Sequence, residues 1–178
     1  LAVDQTQADR LTALGATNGT VQVGGSLKLP AAASKPDQGL VTMLRKAAGK
    51  RQILLAASTH PGEDEVVVDA AGQLGAGWFT IIAPRHPERG SAIRALCASA
   101  GHRISQRSTG ASATSGDNIH IADTLGEMDS LFAASDIVFL GGSLVPSGGH
   151  NPVEPAAYGR PVLSGPHVFK NRAEFDAL

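Results

Sequence analysis

The chain has 178 residues, 42% of them apolar and 17% charged, with a formal net charge of -1. That length suits one domain with a real core and falls short of two full ones. The near-neutral charge gives no electrostatic reason to expect nucleic acid, and no run of 18 apolar residues is present to span a membrane. Aromatics are scarce while glycine and alanine are abundant, which suits closely packed α/β layers. The one cysteine, Cys97, excludes an internal disulfide and fits a reducing compartment. Its place in a helical pattern makes it a packing residue.

In chain order, residues 1–15 read as a helix stopped by Gly15, and residues 20–23 as a strand. The chain lacks a secretory signal, does not start with Met and opens within a helical pattern, so it reads as a fragment. Residues 31–38 are small, polar and proline-containing, as an inter-domain linker is. We therefore expect residues 1–36 to be the end of one domain plus its linker, and residues 37–178 to be a second domain. A helix follows over 39–48. From Arg51 onward short apolar runs alternate with helical segments. Strands are expected at 53–57, 79–83, 103–106, 119–121, 137–140 and 161–163. Helices open at Glu63, run up to Ala100, cover 128–135, and start at Asn151 to end near Gly159. Residues 107–117 form a polar glycine-serine loop. This alternation implies right-handed βαβ units and a parallel, doubly wound α/β sheet.

In such sheets ligands sit outside the carboxyl ends of the strands. Four expected strands end in loops rich in binding groups: Ser58-Thr59-His60, Arg85-His86, Leu125-Gly126-Glu127, and Gly148 to Glu154, which takes in Gly149 and His150. Arg85 follows the strand-ending Pro84, where a guanidinium suits a phosphate; its other reading is a surface pair with Glu88 or Asp64. His60 and His86 have no H-x-x-x-H, C-x-x-C or aspartate cluster to make them metal ligands, so a polar contact or a cap is expected. The Gly126-Glu127 junction can offer helix amides to a ligand or simply cap its helix. Asn151-Pro152-Val153-Glu154 has the grammar of a capping box, with Asn as N-cap, Pro at the first helical position and Glu at the third. A carboxylate there also suits a grip on two ribose hydroxyls. No G-x-S-x-G elbow and no P-loop is present, so binding groups are clearer than a proton-transfer pair.

Three strings carry a resemblance: P-R-H-P-E-R at 84–89, D-T-L-G-E-M at 123–128 and G-G-S-L-V-P-S-G-G-H-N-P-V-E-P-A at 141–156. With A-S-T-H-P-G-E-D-E at 57–65 and G-R-P-V-L-S-G-P-H at 159–167, they resemble the 3-deoxy-D-manno-octulosonic acid (Kdo) transferase family of lipid A assembly. The resemblance implies a Rossmann-like three-layer sandwich, the C-terminal, donor-binding half of a two-domain GT-B glycosyltransferase. It implies transfer of Kdo from CMP-Kdo to a lipid A precursor, with inversion and without a metal or other cofactor, at the cytoplasmic face of the bacterial inner membrane. Membrane contact and the general base would belong to the absent N-terminal domain. The family's helix after Asn171 would be cut short.

By the same resemblance Ser58, Pro84, Arg85, His86 and the loop Gly149-His150-Asn151 contact the donor. Leu125, Gly126 and Glu127 offer the nucleotide a turn and its amides. Asn151, Pro152, Val153 and Glu154 hold the ribose, and Lys28 stabilises charge in the transition state. Such a chain is expected to bind CMP and to be inactive alone. Another GT-B nucleotide-sugar transferase or epimerase, or a non-catalytic nucleotide-binding module, are the alternatives.

Overall fold

The computed structural model describes residues 1–17, 19–25 and 35–178. Lys28 lies outside the described residues. The elements are α1 (Gln5–Ala13), α2 (Gln38–Ala48), β1 (Gln52–Thr59), α3 (Glu63–Leu74), β2 (Trp78–Pro84), α4 (Gly90–Ser99), β3 (Ile104–Gln106), β4 (Ile119–Ile121), α5 (Met128–Ala134), β5 (Ile137–Leu140), α6 (Val153–Ala157), β6 (Val162–Leu163) and α7 (Arg172–Asp176).

Six strands form one sheet in the order β3-β4-β2-β1-β5-β6, with every pairing parallel. The central strand, Gln52-Ile-Leu-Leu-Ala-Ala-Ser-Thr59, is buried along nearly its whole length, as a strand covered on both faces must be. One face packs Ile53, Leu55, Phe79 and Ile81 against Leu40 and Leu44 of α2 and Leu131 and Phe132 of α5. The other packs Ala56, Ile82, Ile119 and Ile121 against Val67 and Val68 of α3 and Ile93 and Cys97 of α4. The result is a three-layer, Rossmann-like α/β sandwich.

Local chemistry sets where the elements start. Asp37 caps α2, its carboxylate accepting the N–H groups of Gly39 (2.8 Å) and Leu40 (3.3 Å). Asp136, just before β5, accepts a two-pronged contact from Arg45 of α2 (both 2.9 Å) and the N–H of Ile53 (2.8 Å). One carboxylate thus ties α2 to the two central strands.

The first 25 residues differ from expectation. The helix is shorter, Gln5–Ala13, and is capped by Asp4. The strand expected at 20–23 is only an isolated bridge between Val23 and Ala2. Two short segments pair too briefly there to build a ladder. After Asn171 the chain forms the five-residue α7.

Candidate nucleotide site at the topological switch

The chain lays β2 and β4 on one side of β1, and β5 and β6 on the other. The crevice where that order reverses is where doubly wound sheets bind ligands. β1 leaves the sheet through Ser58, whose φ of 56° makes it the one non-glycine residue with positive φ among the described residues. Such a conformation costs about 1–3 kcal/mol and persists where surrounding contacts enforce it. Gly141 packs directly against this turn: a Cβ at 141 would stand 2.4 Å from the Ser58 carbonyl oxygen. The two chain ends therefore pass at backbone contact distance.

Glu63, fully buried at the start of α3, organises the turn that follows β5. Its carboxylate accepts the N–H groups of His60 (2.9 Å), Gly142 (2.7 Å), Ser143 (3.0 Å) and Leu144 (2.9 Å). Burial pushes its pKa up, and the four backbone bonds outweigh burial and hold it below the usual carboxylate range. In the sequence Glu63 looks like one of three acids in a helix's first turn. Nothing local reveals its backbone partners about eighty residues away.

The loops gathered this way enclose a cavity of about 570 Å³. His60 enters from β1, Arg85 and His86 from β2, and Gly149, His150, Asn151 and Glu154 from the loop after β5. Lys170 and Asn171, which the sequence reading did not single out, close it from beyond β6. Asn171 is buried and donates its side-chain amide to the Gly149 carbonyl (2.8 Å). His60 and His150 meet with their Nε2 atoms 3.0 Å apart and their rings nearly parallel. Burial lowers both pKa values, that of His150 to about 4, and Arg85 lowers both further.

Arg85 is exposed at the cavity mouth, and neither partner considered for it is taken up by it. The buried Asp64 pairs with Arg89, and Glu88 lies by His86 at 3.7 Å.

The capping box is corrected. α6 starts at Val153, so Glu154 stands at the second helical position. Asn151 Oδ1 does accept the Val153 N–H (3.1 Å), and its side chain lies close enough to Glu154 to favour the ionised carboxylate. Glu154 is solvent-exposed toward the cavity, and desolvation by the loops around it raises its pKa. A carboxylate open to a cavity can accept ligand hydroxyls.

Of the remaining sequence-derived site residues, Ser58, Pro84, Pro152 and Val153 do not line the cavity. Pro84 pairs with Thr59 at the ends of β2 and β1. Leu125, Gly126 and Glu127 lie outside the cavity, after β4. Leu125 is 80% exposed, Gly126 turns the chain at φ 81°, and Glu127 is held by Arg107 (2.7 Å) and Thr124. A second cavity, about 400 Å³, lies between the first 25 residues and residues 169–174 and shares Lys170 with the switch-point cavity. Among the described residues no group of three or more His, Cys, Asp or Glu side chains is arranged to hold a metal.

A parallel sheet with a glycine-lined crevice carrying Arg85 and Lys170 at its switch point defines a doubly wound α/β domain with a candidate anion site. No family model matches the chain. It is 39% identical over 122 residues to the 3-deoxy-D-manno-octulosonic acid transferase of Haemophilus influenzae, covering 67% of this chain and 29% of that protein. With the enzyme of the same name from Bordetella pertussis it shares 37% identity over 175 residues, 93% of this chain and 40% of the relative. Its fold matches the crystal structure of the C-terminal CMP-Kdo binding domain of WaaA from Acinetobacter baumannii, with a TM-score of 0.69 and 29% identity, covering 79% of this chain and 77% of that one. The chain belongs to the 3-deoxy-D-manno-octulosonic acid transferase family and has the fold of its C-terminal domain. It spans 29% and 40% of the two relatives' lengths.

Proposed function

We propose that this chain is the donor-binding half of an inverting glycosyltransferase that moves Kdo from CMP-Kdo to a lipid A precursor, lipid IVA. The observation that carries the reading is the switch-point cavity, where Arg85 and Lys170 face Glu154 across glycine backbone. A guanidinium and an ammonium match a nucleotide phosphate, and a carboxylate opposite them matches ribose hydroxyls. Asn151 accepts the Val153 N–H at the start of α6 and lines the cavity beside Glu154.

Departure of CMP leaves charge on a phosphate oxygen, and preorganised cations stabilise that charge as it develops. Arg85 and Lys170 supply them from the protein, so no step in this reading needs a metal or cofactor. Pro84, Ser58, Pro152 and Val153 support the residues that line the cavity. The turn at Leu125-Gly126-Glu127 gives backbone amides to the nucleotide, and Lys28 serves the transition state. Residues 37–178 form the donor domain, with residues 1–36 leading from the acceptor domain. The general base and the acceptor site lie beyond these 178 residues, on a protein working at the cytoplasmic face of the inner membrane. No helix among the described residues is long and apolar enough to cross a membrane. The chain alone binds CMP without transferring Kdo.

Calorimetric titration tests this. The folded chain is expected to bind CMP saturably and in preference to UMP, with Glu154→Ala weakening CMP by about tenfold or more. Equal binding of UMP, or an unchanged Glu154→Ala, would count against the reading.

A further inference from the structure

The paired histidines have a consequence for how the cavity receives phosphate. With the two Nε2 atoms 3.0 Å apart, one ring must donate and the other accept. Both rings are placed by the fold. The backbone N–H of His60 is bonded to Glu63 (2.9 Å). A Cβ at Gly142 would stand 3.2 Å from His150 Cδ2 and 3.4 Å from His60 Cδ2, so glycine there, at φ 67°, lets both rings settle over the turn. His86 approaches His60 edge-on, with centroids 6.4 Å apart.

The charges facing the pair come from every surrounding element. Two anions lie on this side: Glu63 on α3, whose carboxylate is already occupied by four amides, and Glu154 on α6, which lines the same cavity. Arg85 and Arg89 follow β2, and Lys170 follows β6. Arg89 is neutralised by Asp64. Burial keeps the pair neutral in the empty cavity, and the cations Arg85 and Lys170 act in the same direction. A phosphate dianion reverses that balance.

Resting on the reading of this cavity as the nucleotide site, we propose that His60 and His150 act as one proton-sharing receptor for the nucleotide phosphate, taking up a proton as the CMP dianion enters. No covalent bond changes. The proton comes from solvent and is held between the two Nε2 atoms, so that the pair becomes a singly charged imidazole–imidazolium unit. A phosphodiester, with one charge, draws the proton less than a phosphomonoester with two. The pair thus distinguishes the departing CMP from the intact donor, and it stabilises the product of transfer.

The test titrates the 178-residue chain with CMP at pH 7.5 in two buffers of different ionisation enthalpy, which counts the protons bound. Uptake close to one proton is expected, with affinity falling up to about tenfold between pH 6.5 and 7.5. Imidazole 15N signals of His60 and His150 should move toward the doubly protonated form, while the 31P signal of bound CMP stays that of the dianion. His150→Gln should abolish the uptake and flatten the pH profile, and the methyl diester of CMP should draw less than half the uptake. CMP binding without proton uptake overturns the pair and leaves the nucleotide site standing. Uptake that the 31P signal places on the phosphate itself does the same. A folded chain that binds no CMP at either pH overturns the functional reading and this inference together.

Discussion

At the β1/β2/β5 end of the sheet's carboxyl edge, Arg85 and Lys170 face a cavity, and neither side chain makes an ion pair or hydrogen bond among the described residues. At the β3/β4 end the charges are just as dense, and all are engaged internally. Arg107 pairs with Glu127 (2.7 Å), which also accepts from Thr124. Asp123 accepts from the Ser108 N–H (2.9 Å), the Ser108 hydroxyl (2.7 Å) and Gln106 (2.7 Å). Burial pushes the pKa values of Asp123 and Glu127 up, and these hydrogen bonds bring both below the ordinary range. Polar residues after a strand thus serve two ends: those with unused bonding capacity await a ligand, and those without it hold a loop.

The largest expected effect comes from Glu63→Ala, which strips the acceptor from four backbone N–H groups, two of them on buried residues of the turn after β5. Lost charge-assisted bonds to buried donors amount to about 4 kcal/mol. Urea unfolding should show that loss, and CMP binding should vanish with the turn. Next comes His120 at the other end. It is fully buried in β4, with Nδ1 2.9 Å from the Ser105 hydroxyl, and burial lowers its pKa to about 4. The unfolded chain takes up that proton near pH 6.5 and the folded chain does not. Stability is therefore full above pH 6.5 and falls toward pH 4, by roughly 3 kcal/mol in total. Urea midpoints at pH 7, 6 and 5 should follow that course, and His120→Asn should make it shallower.

Two smaller effects sharpen the contrast. Arg85→Ala should weaken CMP by about 10- to 100-fold, the worth of hydrogen bonds to a charged group, and leave stability within about 0.5 kcal/mol. Arg107→Gln should do the opposite. A partly exposed pair contributes roughly 0.5–1 kcal/mol to stability, and its loss should cost less affinity than Arg85→Ala. If Arg107→Gln weakened CMP more than Arg85→Ala, the distinction between the two ends would fail.

The sheet was readable because its strands are buried on both faces and spell continuous apolar runs, as in Ile53-Leu54-Leu55-Ala56-Ala57. Residues 20–23 alternate polar and apolar side chains, as a strand can, but have one bridge partner, and pairing cannot be read from a pattern. At the site, the loops at Arg85 and at Gly148–Glu154 were legible because a strand followed by glycine, proline and a helix start is local information. Glu63, Lys170 and Asn171 were not. Each acts through partners distant in sequence, and Lys170-Asn171 follows a two-residue strand with no motif of its own. His60 and His150 were each visible, but their meeting depends on Gly141 lying against the Ser58 carbonyl.

The central claim is that the uncommitted cations at the switch point mark the nucleotide's place. A crystal structure of this chain soaked with CMP tests it most directly. The account predicts the phosphate between Arg85 and Lys170, touching the His60–His150 pair, with the ribose hydroxyls on Glu154. CMP seated in the cavity between the chain's first residues and residues 169–174, or held by the Arg107–Glu127 cluster alone with the switch-point cavity empty, would contradict it.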